Sequence, residues 1–309
     1  MRSSAERIHK AKWAVAVAAL FWAISGVVAQ QLFASTTIQA PALTTIRMAF
    51  SGILFLLIFF VTRSKHGKLA SRTRKFYLLK MPLFGVLGIF GMQYTYFQAI
   101  QHGSAVVATV LQNSAPVLLL FWAIWRTKSW PNLTDVLATT GAVIGVVLLV
   151  TGGDVTKLLV SPIAIFWGIL SAFAAAFYIL FPLSLLRRFP APYLLGLGML
   201  YGSIFSYWIT PVTDWSMFFR PQVLPMFLYI VVGGTLIPFF LFLYALRTLP
   251  PTTVSVLTCL EPFGAVVFSV LFLGMSFGWG EIIGIICVMS AVLLLAFSKE
   301  PREPTQSQD

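Results

Sequence analysis

The sequence predicts an all-α integral membrane protein: ten transmembrane helices arranged as two inverted-topology five-helix repeats. Three observations predict it. Of 309 residues, 59% are hydrophobic and only 10% charged, against about a quarter charged in soluble domains. The basic residues are confined to alternate loops. Residues 99–116, AIQHGSAVVATVLQNSAP, are answered by residues 245–262, ALRTLPPTTVSVLTCLEP, at a shift of 146 positions (245 − 99 and 262 − 116).

A helix needs about 20 mostly apolar residues to cross a hydrocarbon core of roughly 30 Å. Such stretches fall near 13–33, 43–62, 78–100, 104–125, 132–151, 162–182, 192–211, 223–247, 252–274 and 279–298, each ending in charge, Pro, Gly or Asn. They leave a cytoplasmic N-terminal arm at 1–12, a basic loop at 63–77 and a cytoplasmic polar tail at 299–309, with the repeats at 13–151 and 162–298. The first stretch follows Arg2, Arg7, Lys10 and Lys12 as a signal peptide would. It is longer than the 7–15 residues of a signal h-region, and further spans follow, so it reads as a retained helix. In spans 4 and 9, prolines recur late: Pro116 follows Ser104 by twelve residues, and Pro262 follows Thr252 by ten. Each proline removes an internal hydrogen bond and is expected to kink its helix. Gly141 and Gly145 in span 5, and Gly280 and Gly284 in span 10, have the small-xxx-small spacing that lets membrane helices approach closely. Cys259 and Cys287 lie inside spans and suit small buried hydrophobes better than a disulfide or metal pair.

The net charge of +12 follows the positive-inside rule and gives no sign of nucleic-acid binding. With the N-terminus inside, the inner side takes Arg2, Arg7, Lys10, Lys12, Arg63, Lys65, Lys68, Arg72, Arg74, Lys75, Lys80, Arg126, Lys128, Arg187, Arg188, Arg247, Lys299 and Arg302, which is 18 of 21 Lys and Arg. The outer side keeps Lys157 and Arg220, and Arg47 lies within a span. Both termini are therefore expected in the cytoplasm, at the cell membrane, with an even span count. The basic loop reads as a topology signal resting on lipid headgroups, with an anionic-lipid site as its sharper alternative.

A shift of five spans is odd, so each helix of the first copy has an oppositely directed partner in the second. Inverted repeats with matching broken helices mark alternating-access transporters, whose site lies near the midplane between the copies.

The segments YFQAIQHGSAVVATVLQNSAP (96–116) and FLYALRTLPPTTVSVLTCLEP (242–262) resemble the EamA family of the drug/metabolite transporter superfamily. LFLG (271–274), FWAISG (21–26) and PALTTIRMAF (41–50) resemble it too. The resemblance implies ten helices in two inverted repeats and secondary transport of small organic solutes, often export of amino acids, metabolites or drugs. Where that family often carries an acid after the LFLG motif, this chain has Met275, and the end of span 4 offers Arg126-Thr127-Lys128.

Ionisable groups inside the hydrocarbon zone are functional candidates because burying them costs free energy. Arg47 attracts an anionic group of the substrate or holds a helix end. Glu261, just before Pro262, is either a proton-coupling carboxylate or an acid that bonds backbone groups freed by the proline. Ala115 is its counterpart. Arg47, Glu261, Pro116 and Pro262 form the gating or coupling set. Gln98, Gln112 and Asn113 are too polar to face lipid and are expected to line a substrate cavity. Trp22, Tyr94, Tyr178 and Tyr244 join them as aromatic lining, with Tyr96 beside them. Asp135, Asp154, Asp214 and Glu281 fall at helix ends or loops, where capping is the plain reading.

No GxxxxGK[ST] loop is present, which excludes an ATP-driven pump in this chain. Neither GxSxG nor HExxH occurs, and no metal or cofactor is expected. The sequence is therefore read as a secondary or facilitated exporter of small organic metabolites such as amino acids, with the bilayer as its solvent and protons as the candidate coupling ion. An importer of a cationic or nutrient solute is the alternative within transport. A non-transporting receptor or lipid-modifying enzyme is the alternative outside it, and an enzyme would need an acid, histidine or nucleophile cluster that is missing.

Overall fold

The computed structural model describes residues 4–62, 75–128, 131–186, 189–246, 248–249 and 251–297, and every described element is helical. Helices α1 (Ser4–Ser35) and α2 (Ala40–Thr62) open the chain. Next come α3 (Lys75–Leu83), a π-helical segment Phe84–Phe90 and α4 (Gly91–His102), then α5 (Ala105–Gln112), α6 (Ala115–Thr127) and α7 (Leu133–Thr151). The remainder holds α8 (Pro162–Leu180), a short α9 (Leu183–Leu186) and α10 (Ala191–Ile209). It continues through α11 (Leu224–Leu228), a second π segment Tyr229–Leu236, α12 (Ile237–Leu246), α13 (Pro251–Thr258), α14 (Leu260–Leu273) and α15 (Trp279–Phe297).

Among the described residues, six helical stretches are long and apolar enough to cross a membrane: Glu6–Ser35, Ala40–Thr62, Ala105–Trp122, Leu133–Thr151, Pro162–Leu186 and Leu224–Phe242. Leu260–Leu273 and Trp279–Leu295 are shorter apolar helices. The outer surface suits lipid. Trp125, Trp208 and Trp279 stand near helix ends with 78 to 81% of their surface exposed, where aromatic side chains anchor at the headgroups. Leu57, Phe60, Ile204 and Leu271 are exposed between them, an apolar surface that water would not tolerate at this extent.

Local chemistry sets the helix ends. Ser104 accepts from the Val107 N–H (3.2 Å), and Ser161 accepts from Ala164 (3.1 Å) with Pro162 at the first turn of α8. Asn132 and Asp135 form a reciprocal capping box on α7, which satisfies two donors that a helix start leaves open. Asp154 accepts from Thr156 (3.1 Å), Asp214 from Ser216 (2.9 Å) and Glu281 from Gly278 (2.8 Å). All four acids are backbone caps, as their positions suggested. Hydroxyl and amide hydrogen bonds hold the exposed Asp154 and Asp214 carboxyls below the usual carboxylate range.

Residues 4–12, read from the sequence as an arm, are helical and continuous with α1, and Ala11 is buried in a cluster with Val15, Ala245, Leu249 and Val254. Of the positions that set the orientation, Arg2, residues 63–74, Arg187, Arg188, Arg247, Lys299 and Arg302 lie outside the described residues. Cys259 and Cys287 are free thiols.

The strongest helix pairs are α7 with α15, α2 with α10, α4 with α8, and α1 with α12 and α14; α5 also packs on α8. Small residues bring the first two pairs together. A Cβ on Gly145 would sit 2.7 Å from the Gly284 carbonyl oxygen, and one on Gly52 3.1 Å from that of Gly196. A buried cluster including Leu32, Ile38, Ala40, Ile100, Ala105 and Phe218 packs the end of the bundle opposite the N-terminus.

Candidate functional site

Both proline-bearing helices are broken outright. Helix α5 stops at Gln112 and α6 starts at Ala115, with Asn113 and Ser114 forming the turn between them. Pro116 explains the break. It has no N–H, and its ring would meet the carbonyl four residues back, at Gln112, so the helix stops before it. Asn113 folds back on the end of α5, its backbone N–H and its side-chain Nδ2 both donating to the Thr109 carbonyl (2.9 Å each). Cys259 interrupts the other pair, between α13 and α14, three residues before Pro262. The breaks at Asn113 and Cys259 are again 146 residues apart (259 − 113).

Beside these breaks lies a cavity of about 180 Å³, above the 150 Å³ that admits benzene in an engineered core. Its wall includes Trp22, Ser25, Arg47, Met92, Gln93, Tyr96, Gln112, Asn113, Ala115, Pro116, Tyr178, Phe239, Phe242, Thr258 and Glu261. Tyr96 also packs against the cluster that closes the end opposite the N-terminus. Val254 lines the cavity and belongs to the cluster at the N-terminal end.

One wall is aromatic. Trp22 meets Phe239 edge-on and Phe242 tilted, both at 5.4 Å between centroids, and Tyr178 stands edge-on to Phe239 at 6.1 Å. Another part of the wall is polar. Tyr96 shares a hydrogen bond with Thr109 (2.9 Å), and Gln112 donates its Nε2 to Ser171 (2.6 Å). Glu261 is 9% exposed, and no hydrogen-bond donor or cation pairs with its carboxylate among the described residues. The sequence reading in which Glu261 bonds backbone groups freed by Pro262 has no such bond among the described residues.

Arg47 is buried and committed to the π segment Tyr229–Leu236. Its Nε donates to Thr235 Oγ1 (2.6 Å) and its Nη2 to the Gly234 carbonyl (2.9 Å), and the guanidinium lies 4.9 Å from the centre of the Phe97 ring. Thr235 in turn donates to the Ile230 carbonyl five residues back (3.0 Å). The wide π turn leaves the Gly234 carbonyl available to Arg47. An arginine at the centre of a membrane helix costs about 2.5–3.5 kcal/mol on insertion scales, which two charge-assisted hydrogen bonds and a ring contact can offset.

The cavity thus gathers eight of the sequence candidates: Trp22, Arg47, Tyr96, Gln112, Asn113, Pro116, Tyr178 and Glu261. The other four sit elsewhere. Gln98 donates its Nε2 to Tyr94 Oη (2.9 Å), and Tyr94 packs edge-on to Trp167 at 5.6 Å. Tyr244 is 40% exposed on the outer surface, and Pro262 is buried behind the lining. Residues the sequence reading did not name also line the wall: Ser25, Met92, Gln93, Phe239, Phe242 and Thr258. The repeat held the signal for two of them, Phe242 from Tyr96 and Thr258 from Gln112. Applying the 146-residue shift to Gln93, Tyr96, Gln112 and Ala115 gives Phe239, Phe242, Thr258 and Glu261, and all eight line the cavity.

Residues 9–151 and, again, residues 162–297 match the EamA-like transporter family. The chain belongs to that family. It is a membrane transporter and not an enzyme. This EamA-like chain is 30% identical over 290 residues to the uncharacterized inner membrane transporter YicL of Salmonella typhimurium, covering 93% of this chain and 95% of that one. It is 25% identical over 295 residues to the uncharacterized transporter YwfM of Bacillus subtilis, covering 94% of each. It is 26% identical over 270 residues to the threonine/homoserine exporter RhtA of Salmonella typhimurium, covering 86% of this chain and 85% of the relative. A solved crystal structure shares its fold at a TM-score of 0.59 and 12% identity, covering 92% of this chain and 95% of that chain.

Proposed function

We propose that this transporter exports zwitterionic solutes of amino-acid size by alternating access, with Glu261 holding the substrate ammonium group. The observation that carries this reading is the Glu261 carboxylate: unpaired among the described residues, in a cavity of about 180 Å³ with an aromatic wall. A carboxylate removed from water and left without a partner is costly, and an organic ammonium supplies the missing charge and donors. Trp22, Phe239 and Phe242 present ring faces and edges that suit a cation and its apolar substituents. Arg47 keeps part of its donor fork after bonding Thr235 and Gly234, and faces the same cavity as a partner for the substrate carboxylate. The exporter RhtA, whose name specifies two small amino acids, supports this substrate class.

The proposed frame is ten spans in two inverted five-helix repeats, 13–151 and 162–298, in the cell membrane with both termini cytoplasmic. The two family matches support it, as do the π segments at 84–90 and 229–236 and the breaks at Asn113 and Cys259. Helix packing supports it as well. Replacing each helix by its counterpart turns the α4–α8 pair into α12–α1 and α5–α8 into α13–α1, while α2–α10 and α7–α15 map onto themselves. The cavity reaches Val254 near the N-terminal end and is capped by the packed cluster at the other, which favours an inward-facing state. Movement of the half-helices about Asn113 and Cys259 would open the far side. A proton and an ammonium group compete for the single Glu261 carboxylate, which supplies a route to proton exchange.

Proteoliposome flux of labelled amino acids under an imposed pH gradient tests this reading. Substrate movement against its own gradient, driven by inward protons and lost in Glu261→Gln, is expected. Flux indifferent both to the pH gradient and to Glu261→Gln would sink the coupling role. Uptake in the opposite sense under the same gradient would make the protein an importer of a cationic or nutrient solute. Cysteine labelling on α5 and α13 that changes reciprocally from the two sides is expected, and accessibility unchanged during transport would rule out the rocking motion.

A further inference from the structure

Five buried side-chain polar atoms lack a hydrogen-bond partner among the described residues, and two of them are the amide nitrogen and oxygen of Gln93. The others, on Ser51, Tyr229 and Ser269, belong to residues outside the cavity wall. Gln93 is 3% exposed and stands in the first turn of α4, flanked by Met92 and Tyr96, which line the same cavity. Its counterpart across the 146-residue shift is Phe239 of the aromatic wall. Burying an amide with neither half paired is unfavourable, and apolar replacement of such a group is neutral or stabilising. Packing alone therefore gives no reason for a glutamine here. The amide atoms are closed off in this conformation, so a ligand that both donates and accepts one hydrogen bond supplies what is missing once the Gln93 side chain rotates into the cavity that the residue already lines.

We propose that Gln93 is a specificity-determining residue: it selects substrates whose side chain carries an uncharged group able both to donate and to accept a hydrogen bond, a hydroxyl or a carboxamide. The inference rests on the amino-acid-sized reading of the cavity and adds the side-chain class. Glu261 and Arg47 address charges common to every zwitterion. Gln93 addresses what differs between them. A site whose polar groups are left unpaired by the wrong substrate discriminates far more strongly than an apolar pocket does.

Binding to the purified full-length protein tests this with near-isosteric probe pairs, L-threonine against L-valine and L-asparagine against L-leucine. Preference for threonine assigns a hydroxyl partner, and preference for asparagine a carboxamide. The wild-type protein should favour the polar member of at least one pair by about tenfold or more. Gln93→Leu should bring that ratio close to one by weakening only the polar ligand, and should raise the melting temperature of the ligand-free protein. Gln93→Asn, which keeps the amide, should retain part of the preference. Equal weakening of both members by Gln93→Leu, or a lowered melting temperature, would show Gln93 to be structural and overturn the proposal. No preference within either pair in the wild type, while all four probes bind and Glu261→Gln weakens all four, overturns the role of Gln93 and leaves the Glu261 reading standing. No binding of any probe overturns both.

Discussion

The two family-matched regions contribute differently to one cavity. At four positions related by the 146-residue shift, residues 9–151 supply Gln93, Tyr96, Gln112 and Ala115, and residues 162–297 supply Phe239, Phe242, Thr258 and Glu261. The first region presents two amides and a phenol. The second presents two phenyl rings, a hydroxyl and the carboxylate. The scaffold keeps its correspondences: π segment for π segment, break for break, and a close glycine contact in each of the two pairs that map onto themselves. The lining does not keep them. Backbone packing constrains the positions where helices touch, and the cavity wall is where side chains can diverge without disturbing those contacts.

The largest expected effect tests the sharpest asymmetry. Glu261→Gln should reduce flux by about 10- to 100-fold, the scale of one charge-assisted hydrogen bond. Combining Glu261→Ala with Ala115→Glu should not restore it, because Ala115 is buried against Ala175 and Ala176 and a carboxylate there cannot take the same place. Recovery of flux in the double variant would show that the two walls are interchangeable. Next, Gly145→Val should destabilise by about 1–3 kcal/mol, as overpacking does, since its Cβ would meet Gly284 and Val288 at 2.7 to 2.8 Å. Thermal unfolding measures this, and a neutral result would mean that α7 and α15 are free to part.

Arg47 and Tyr193, on the paired helices α2 and α10, offer a third test. Arg47→Lys should cost about 1.5–3 kcal/mol, because a point charge cannot replace a fork that reaches both Thr235 and Gly234. Tyr193→Phe should cost much less, as that ring is held by Phe59 at 5.0 Å. Equal losses would remove the special place of Arg47. The smallest effect belongs to the loops. Asp154 and Asp214 have carboxyls held below their ordinary range, so their contribution is present above the unfolded carboxylate range and fades as pH falls through the depressed values. Both are exposed, so Asp214→Asn should leave the neutral-pH melting temperature nearly unchanged. A large loss at neutral pH would assign the loop a further partner.

Much of this protein was legible in its sequence. Apart from the start of α1, which lies nine residues before the expected span, hydropathy located the helical stretches to within a few residues, and the shift of 146 positions gave the correspondence that the π segments and helix breaks later followed. The prolines announced the breaks, although they are displaced to Asn113 and Cys259, because a proline disturbs the turn that precedes it. The cavity was only partly legible. Tyr94 and Tyr96 are two residues apart on α4, as Phe242 and Tyr244 are on α12, and in each pair one faces the cavity while the other turns away.

Two residues are about 200° around a helix at 3.6 residues per turn, so such neighbours necessarily part. Which of them faces inward is invisible in the sequence, since lipid is as apolar as a packed interior and both faces of a membrane helix read alike. The sequence by itself therefore determined the all-helical membrane class, most of the element boundaries and the family. Only the tertiary structure decided which faces converge. It placed Gln93 and Glu261 in the wall of one cavity, bound Arg47 to a π turn 188 residues away, and left Tyr244 on the outer surface. Those choices depend on the rotation of each helix against its neighbours, and close glycine contacts such as Gly145 with Gly284 fix that rotation.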